Sequence, residues 1–172
     1  MDSEARARTV EEAIAERREI LNRHIDTYLP DGDPERLYDA SRHVLYAGGK
    51  RLRPTILLVA GEAVTEMAPG SADYQSFPTV VDDEGPIDLL AAAMSVEIIQ
   101  SFTLIHDDIM DDDDVRRGVP AVHREYDLST AILAGDTLYS KAFERMLETG
   151  AQADRSVRAL SELATTCTQI CG

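Results

Sequence analysis

The chain has 172 residues, which fits a single domain, and 44% of them are hydrophobic, enough to form a core. Its formal net charge is −15, which argues against nucleic acid as a partner because phosphate backbones bind basic surfaces. Of the 17 basic residues, only Lys50 and Lys141 are lysines. An acidic surface almost without lysine is typical of proteins from a salt-rich cytoplasm, and an ordinary acidic protein is the alternative.

The sequence predicts neither a signal peptide nor a membrane-spanning segment. The chain begins with the charged sequence MDSEAR, which lacks the apolar segment of a signal peptide. No apolar run reaches the ~18 residues of a membrane span, so we expect a cytoplasmic protein with no transmembrane segment. The two cysteines, Cys167 and Cys171, are four residues apart. We interpret them as small core residues, since their number and spacing indicate neither a disulfide framework nor a zinc site.

The hydrophobic pattern predicts an all-α chain without convincing strands. A Pro- and Gly-rich stretch at about 67–86 predicts an exposed loop, although Thr79 and its neighbours could pair briefly. Asp33 is the expected N-cap of the second helix, and the helix after Pro54 is apolar enough to be buried. The predicted helices, in chain order, are 10–29, 33 to about 48, a third that follows Pro54, 86–112, 129–148 and 154–170.

An acidic cluster follows the fourth predicted helix, with six aspartates in eight residues. Asp107, Asp108 and Asp111 are three and four residues apart and share one helix face. Carboxylates this close repel each other, and oxygen ligands without histidine or cysteine favour Mg²⁺. The alternative is a solvated acidic face. We disfavour this alternative for these three aspartates, and for residues 112–114 we weigh it equally with a functional role. An EF-hand calcium loop fits poorly, because Asp112 holds the position that requires glycine.

Two cationic segments could hold phosphate. Arg116 and Arg117 directly follow the acidic cluster, and guanidinium groups match phosphate oxygens. Residues 48–54 (GGKRLRP) place three cations after two glycines at a helix start, where anions bind favourably. This is not a Walker A loop, since Val44 holds the position that requires glycine, and alone it could be a solvated basic run. Together, these clusters predict two diphosphates in one helical cavity, one held through metal and one through cations.

Four segments resemble motifs of the trans-isoprenyl diphosphate synthases, the polyprenyl synthetases, in order and spacing. They are 49–54 (GKRLRP), 104–111 (LIHDDIMD), 116–118 with Pro120, and 131–136 (AILAGD). The resemblance extends from about residue 34 to the end of the chain. It implies an isoprenoid-synthase-type helical bundle around a central cavity, a homodimer in the full-length form, and Mg²⁺ as cofactor. The implied reaction condenses isopentenyl diphosphate with an allylic diphosphate, which ionises with the help of Mg²⁺.

The resemblance also assigns roles to residues of this chain. Asp107, Asp108 and Asp111 would be the catalytic residues that hold Mg²⁺ on the allylic diphosphate, which Arg116 would also contact. The implied ligands of isopentenyl diphosphate are Lys50, Arg53, Gln100 and Arg117.

Phe102, five residues before Asp107, would limit product length beneath the aspartates, and a core phenylalanine is an equally weighted alternative. This arrangement is most similar to archaeal geranylgeranyl diphosphate synthases. Together with the salt-adapted composition, it indicates a halophilic archaeon as the source.

The sequence departs from the family pattern after Asp136, where no second aspartate-rich motif follows before Gly172. We therefore expect residues 1–172 to be the N-terminal portion of a single synthase domain. The alternative is a non-catalytic truncated chain or subunit that binds diphosphate or completes a partner's cavity. A simple divalent-cation binding helical protein is a third, weaker interpretation.

Overall fold

The structure, a computed structural model, describes residues 3–68, 72–80 and 85–170, with side chains from Thr9 onward. The all-α prediction is confirmed by the architecture, with one addition: residues 115–120 form a short antiparallel hairpin, β1 (Val115–Arg116) and β2 (Val119–Pro120). The helices are α1 Ser3–Arg23, α2 Ile25–Tyr28, α3 Glu35–Tyr46, α4 Leu52–Val64, α5 Leu89–Met110, α6 Val122–Glu125, α7 Leu128–Leu147 and α8 Ala153–Ile170.

Helix α5 forms the centre of the core and packs most extensively against α7. Small residues allow the two helices to approach closely, including Ala91 on α5 and Ala134 and Gly135 on α7. Larger buried side chains such as Met94 and Ile98 fill the space around them, and each contributes about 1.5–3 kcal/mol of transfer free energy. By length and composition α5 could cross a membrane, but just over half of that stretch is buried, as in a core helix.

Several predicted helix boundaries shift in the structure. The predicted 10–29 helix is interrupted at His24, and Asp33 is not the cap of α3, because Pro34 is still extended and the helix begins at Glu35. Helix α5 begins at Leu89 instead of Pro86. The carboxylate of Asp88 accepts a hydrogen bond from the Ala91 amide at 2.8 Å, which satisfies a donor at the helix start.

The prediction that the third helix is buried is wrong for one of its faces. Leu58 is fully buried, whereas Ile56 is 65% and Val59 is 42% exposed. The buried residues of α4 are spaced by three and four and face α5 and α1, while its other side faces solvent in the described part of the chain. Composition alone predicted burial on all sides, but the neighbouring helices cover only one.

Most described residues of the predicted loop at 67–86 are exposed, as predicted, but two aromatic residues pack onto the core. Tyr74 lies in a 3₁₀ turn, and Tyr74 and Phe77 are both buried with stacked rings. Phe77 and Ile87 exchange backbone hydrogen bonds of 2.8 and 2.9 Å and form an isolated antiparallel bridge. Residues 69–71 and 81–84 of the predicted loop lie outside the described residues.

A buried ion pair connects α1 to this segment. Arg17 and Glu62 are 1% and 4% exposed, and Arg17 Nη2 lies 2.5 Å from Glu62 Oε2. The Tyr74 hydroxyl donates to the other carboxylate oxygen of Glu62. A buried charge is strongly unfavourable unless it is paired, so these contacts fix α1, α4 and the turn at Tyr74 relative to each other.

Candidate active site

The three predicted metal ligands lie at the C-terminal end of α5, with different exposure. Asp107 and Asp111 are exposed, and Asp111 caps the helix through its amide, which donates to the Asp107 carbonyl at 2.8 Å. Asp108 is fully buried. Its Oδ1 accepts a hydrogen bond from Arg116 Nε at 2.5 Å, while its Oδ2 is buried without a hydrogen-bond partner. The end of α5 therefore presents one buried and two exposed carboxylates.

A preassembled metal cluster is not found among the residues described, since no three His, Cys, Asp or Glu side chains lie close enough together. The unpartnered Asp108 oxygen nevertheless fits a hard cation, because a buried acceptor without a partner is unfavourable and Mg²⁺ prefers oxygen ligands. Mg²⁺ is commonly held by one or two carboxylates together with substrate phosphates, so a complete protein cluster is not required.

The remaining three aspartates are engaged in ion pairs. Asp113 lies 2.9 Å from Arg116, while Asp112 and Asp114 lie 2.6 and 2.8 Å from Arg124. These contacts fold the segment after α5 back onto itself and favour a structural role for 112–114 over a second set of metal ligands. The hydrogen bond to Asp108 raises the pKa of Arg116 above its ordinary value, so this guanidinium stays charged.

Arg117 joins the segment after α5 to the basic turn, almost 70 residues earlier in the chain. Its Nη1 donates to the carbonyl of Gly48 and, at 3.4 Å, to that of Val44. A Cβ on Gly49 would lie 2.7 Å from the Arg117 Cζ, so only glycine leaves room for the guanidinium there. Burial lowers the pKa of Arg117. The two cationic segments of the sequence therefore meet in the fold.

Within the basic turn, exposed and buried cations alternate. Lys50 and Arg53 are exposed and remain candidates for anion binding. Arg51 between them is 3% exposed and donates to Glu97, which is also 3% exposed. The sequence assignment missed Arg51 and Glu97. The available indication was a glutamate in the otherwise apolar first half of α5, which requires a buried partner.

A cavity of about 460 Å³ lies where α4, α5, α7 and α8 meet. Arg53 and Gln100 contribute polar groups to its lining, and the other lining residues are mainly apolar, among them Val96 and Ile99. Arg53 and Gln100, two of the predicted ligands of isopentenyl diphosphate, therefore share one cavity. A mostly apolar pocket with few polar groups is the usual form of a small-molecule site.

Phe102 does not line this cavity within the described part of the chain. It is partly buried, and its ring centroid lies 4.7 Å from that of His106 and 5.2 Å from that of Tyr139 on α7. These contacts agree with the alternative of a core phenylalanine. The product-length role stays a prediction.

Cys167 and His123, to which the sequence assigns no functional role, have buried side-chain atoms. Cys167 is buried in the core, as predicted, and Cys171 lies outside the described residues. Both ring nitrogens of His123 are buried without a hydrogen-bond partner.

Comparisons with known proteins agree on one family. The family model described as polyprenyl synthetase matches residues 34–172. A geranylfarnesyl diphosphate synthase from Natronomonas pharaonis is 71% identical over 162 residues, which cover 94% of this chain and 47% of that protein. A geranylgeranyl diphosphate synthase from Methanosarcina mazei is 45% identical over 95% of this chain and 45% of that protein.

Among solved structures, a geranylgeranyl pyrophosphate synthetase from Geoglobus acetivorans matches with a TM-score of 0.78 and 44% identity, covering 92% of this chain and 46% of that chain. The chain thus spans about half the length of the curated relatives it matches. The fold, the order of the motifs and the family match agree, and the chain belongs to the polyprenyl synthetase family.

Proposed function

We propose that this protein is a prenyltransferase that condenses isopentenyl diphosphate with an allylic diphosphate to give geranylgeranyl diphosphate. The observation that carries the proposal is the contact of Arg117 with the turn at Gly48 and Gly49. It joins the cations of the basic turn to the segment that directly follows the acidic end of α5, as a reaction between two diphosphates requires. The names of the relatives support the same class of product.

The allylic diphosphate would bind at the end of α5. Asp107, Asp108 and Asp111 would hold Mg²⁺, which supplies neutralisation of the departing diphosphate charge. Asp108 provides a buried oxygen that lacks a partner, and Arg116 already lies against the same carboxylate. A diphosphate there would therefore meet a fixed guanidinium as well as the carboxylates.

Isopentenyl diphosphate would bind beside the basic turn. Lys50 and Arg53 are exposed there, Gln100 shares the cavity with Arg53, and Arg117 lies against the turn. The apolar lining of the cavity would keep water away from the hydrocarbon part of the substrate bound beside Arg53 and Gln100. Phe102 would limit product length from the α5–α7 interface.

We also propose a cytoplasmic homodimer. Helix α7 exposes Leu128, Ile132 and Leu133, each at least 40% accessible. An apolar patch of this kind is a surface for protein association, and a second copy of the chain offers the same patch by symmetry.

The proposal is tested by turnover and by binding. The protein would be incubated at high KCl with Mg²⁺, labelled isopentenyl diphosphate and farnesyl diphosphate, and the extracted lipid product would be sized. Asp107→Ala should abolish Mg²⁺-dependent affinity for the allylic diphosphate. Asp114→Ala removes an equal charge from the Arg124 pair and should retain that affinity. Equal affinity in all three proteins would refute the metal-site assignment, and a product one isoprene unit longer would correct the assigned length.

A non-catalytic subunit that completes a partner's cavity is the second candidate, because one relative is named as a subunit of a heterodimeric synthase. This candidate predicts diphosphate binding without product by the chain alone. If the protein only binds divalent cations, Lys50→Ala and Arg53→Ala should leave its metal affinity unchanged. It should then have no affinity for isopentenyl diphosphate.

A further inference from the structure

Glu97 occupies the centre of a buried charge network on α5. Its Oε1 accepts a hydrogen bond from Arg51 Nη1, and the same oxygen lies 3.8 Å from Arg117 Nη2. The three side chains come from three separate parts of the sequence. Glu97 contacts two arginines that flank the proposed isopentenyl diphosphate site, although it does not itself project into the cavity lining described above.

Each arginine fixes one of the substrate-binding segments. Arg51 has a left-handed backbone (φ 49°) at the start of α4 and donates to the Leu45 carbonyl at 2.5 Å and to Asn22 at 3.0 Å. It is the immediate neighbour of Lys50 in the chain. Arg117 also has a left-handed backbone (φ 55°) and contacts the Gly48 carbonyl. A left-handed backbone is unfavourable for residues other than glycine, so both turns depend on the contacts of these side chains.

The charge of Glu97 is what allows two guanidinium groups to lie side by side. Burial lowers the pKa of Arg117, and the nearby charge of Arg51 lowers it further, whereas Glu97 raises it. Without the carboxylate, buried Arg51 and half-buried Arg117 would repel each other across a short distance where water screens the charges poorly.

We infer that Glu97 is a positioning residue that holds Arg117 and the turn at Gly48–Arg53 in one arrangement, so that Lys50, Arg53 and Arg117 converge on a single diphosphate. This inference rests on the proposed function. Glu97 does not touch the substrate and acts only through the two arginines.

The inference predicts an effect opposite to that of simple electrostatics. Glu97→Gln removes a negative charge near an anion site, which by charge alone would tighten binding of a diphosphate. If Glu97 positions the cations, the same substitution weakens it, because displaced groups lose their shared geometry. We expect the dissociation constant for isopentenyl diphosphate to rise roughly tenfold or more. Affinity for the allylic diphosphate with Mg²⁺ should not change.

Calorimetric titration of the protein with isopentenyl diphosphate tests this directly. Glu97→Asp keeps the charge and should bind more tightly than Glu97→Gln. The double variant Arg51→Gln with Glu97→Gln removes both charges of the buried Arg51–Glu97 ion pair. Neither residue then leaves an unpaired charge, so the stability lost in Glu97→Gln should recover. Affinity should stay low, since the turn is no longer tied to α5. Recovery of affinity together with stability would overturn the inference and leave Glu97 with a purely structural role.

The outcomes separate the inference from the proposed function. Unchanged or tighter binding by Glu97→Gln, together with loss of binding by Lys50→Ala, would overturn the inference alone. Absence of isopentenyl diphosphate binding by the unsubstituted protein would overturn the proposed function, and the inference with it.

Discussion

The two glycines of the basic turn offer a matched pair of substitutions. Both have positive φ, 86° for Gly48 and 136° for Gly49, so alanine is strained at either position. A Cβ on Gly48 would meet nothing within 4 Å, whereas one on Gly49 would lie 2.7 Å from Arg117 Cζ. Gly48→Ala therefore carries only backbone strain, and Gly49→Ala also displaces the guanidinium of Arg117.

The magnitudes follow from these contacts. Gly48→Ala should reduce the free energy of unfolding by about 1–2 kcal/mol. Gly49→Ala should reduce it by roughly 2.5–6 kcal/mol, because strain of about 1–3 kcal/mol is added to the loss of a charged hydrogen bond, about 1.5–3 kcal/mol. Urea unfolding at constant high salt measures both values. Equal losses in the two variants would refute the close contact between Arg117 and Gly49 on which the assembled cation site depends.

Three further predictions concern the surrounding fold. Tyr74→Phe removes the donor to buried Glu62 and should cost about 1–3 kcal/mol in urea unfolding, whereas Tyr46→Phe, whose hydroxyl donates to exposed Asp26, should cost less than about 0.5 kcal/mol. Hydrogen bonds from Thr130 lower the pKa of Asp127 to about 2. The contribution of Asp127 to stability is therefore complete above about pH 4, the ordinary aspartate range, and is lost as the pH falls through 2. Asp127→Asn should remove that part of the pH dependence of the free energy of unfolding. Gly135→Ala should destabilise the protein by about 1–3 kcal/mol, because its Cβ would lie 2.3 Å from His106 Nε2. In a His106→Ala background the same change should instead stabilise the protein by up to about 1 kcal/mol. A loss of stability in both backgrounds would contradict this packing.

The sequence predicted the helices because apolar residues recur at helical spacing. This periodicity can be recognised in one segment without knowing which other segments pack against it. It did not predict which side of α4 is covered, since Ile56 and Leu58 are equally apolar and differ only in what lies next to them. Nor did it predict that Tyr74 and Phe77, within a Pro- and Gly-rich segment, have side chains that pack on the core. Both failures have one cause, because burial is a property of the assembled fold and not of local composition.

The candidate site also depends on contacts between distant segments, which local sequence patterns do not reveal. The acidic and basic motifs are visible as local patterns, and the family resemblance assigns them roles. That Arg117 lies on the Gly48 turn requires the fold, since almost 70 residues separate the two. Conversely, Arg51 stands between Lys50 and Arg53 in a run of cations, and nothing in that run distinguishes the buried residue from its exposed neighbours.

The buried acids of α5 explain why two adjacent arginines follow the acidic cluster. Glu97 and Asp108 are eleven residues apart, which is close to three helical turns, so they lie on one face and roughly 16 Å apart along the axis. Arg116 reaches Asp108 from the hairpin, and Arg117, with its left-handed backbone, turns toward Glu97 and the basic turn. The pair therefore divides between two buried carboxylates at separate points along α5. An arginine at each position supplies both the neutralising charge and donors left over for a phosphate oxygen, which a lysine with its single ammonium provides less well.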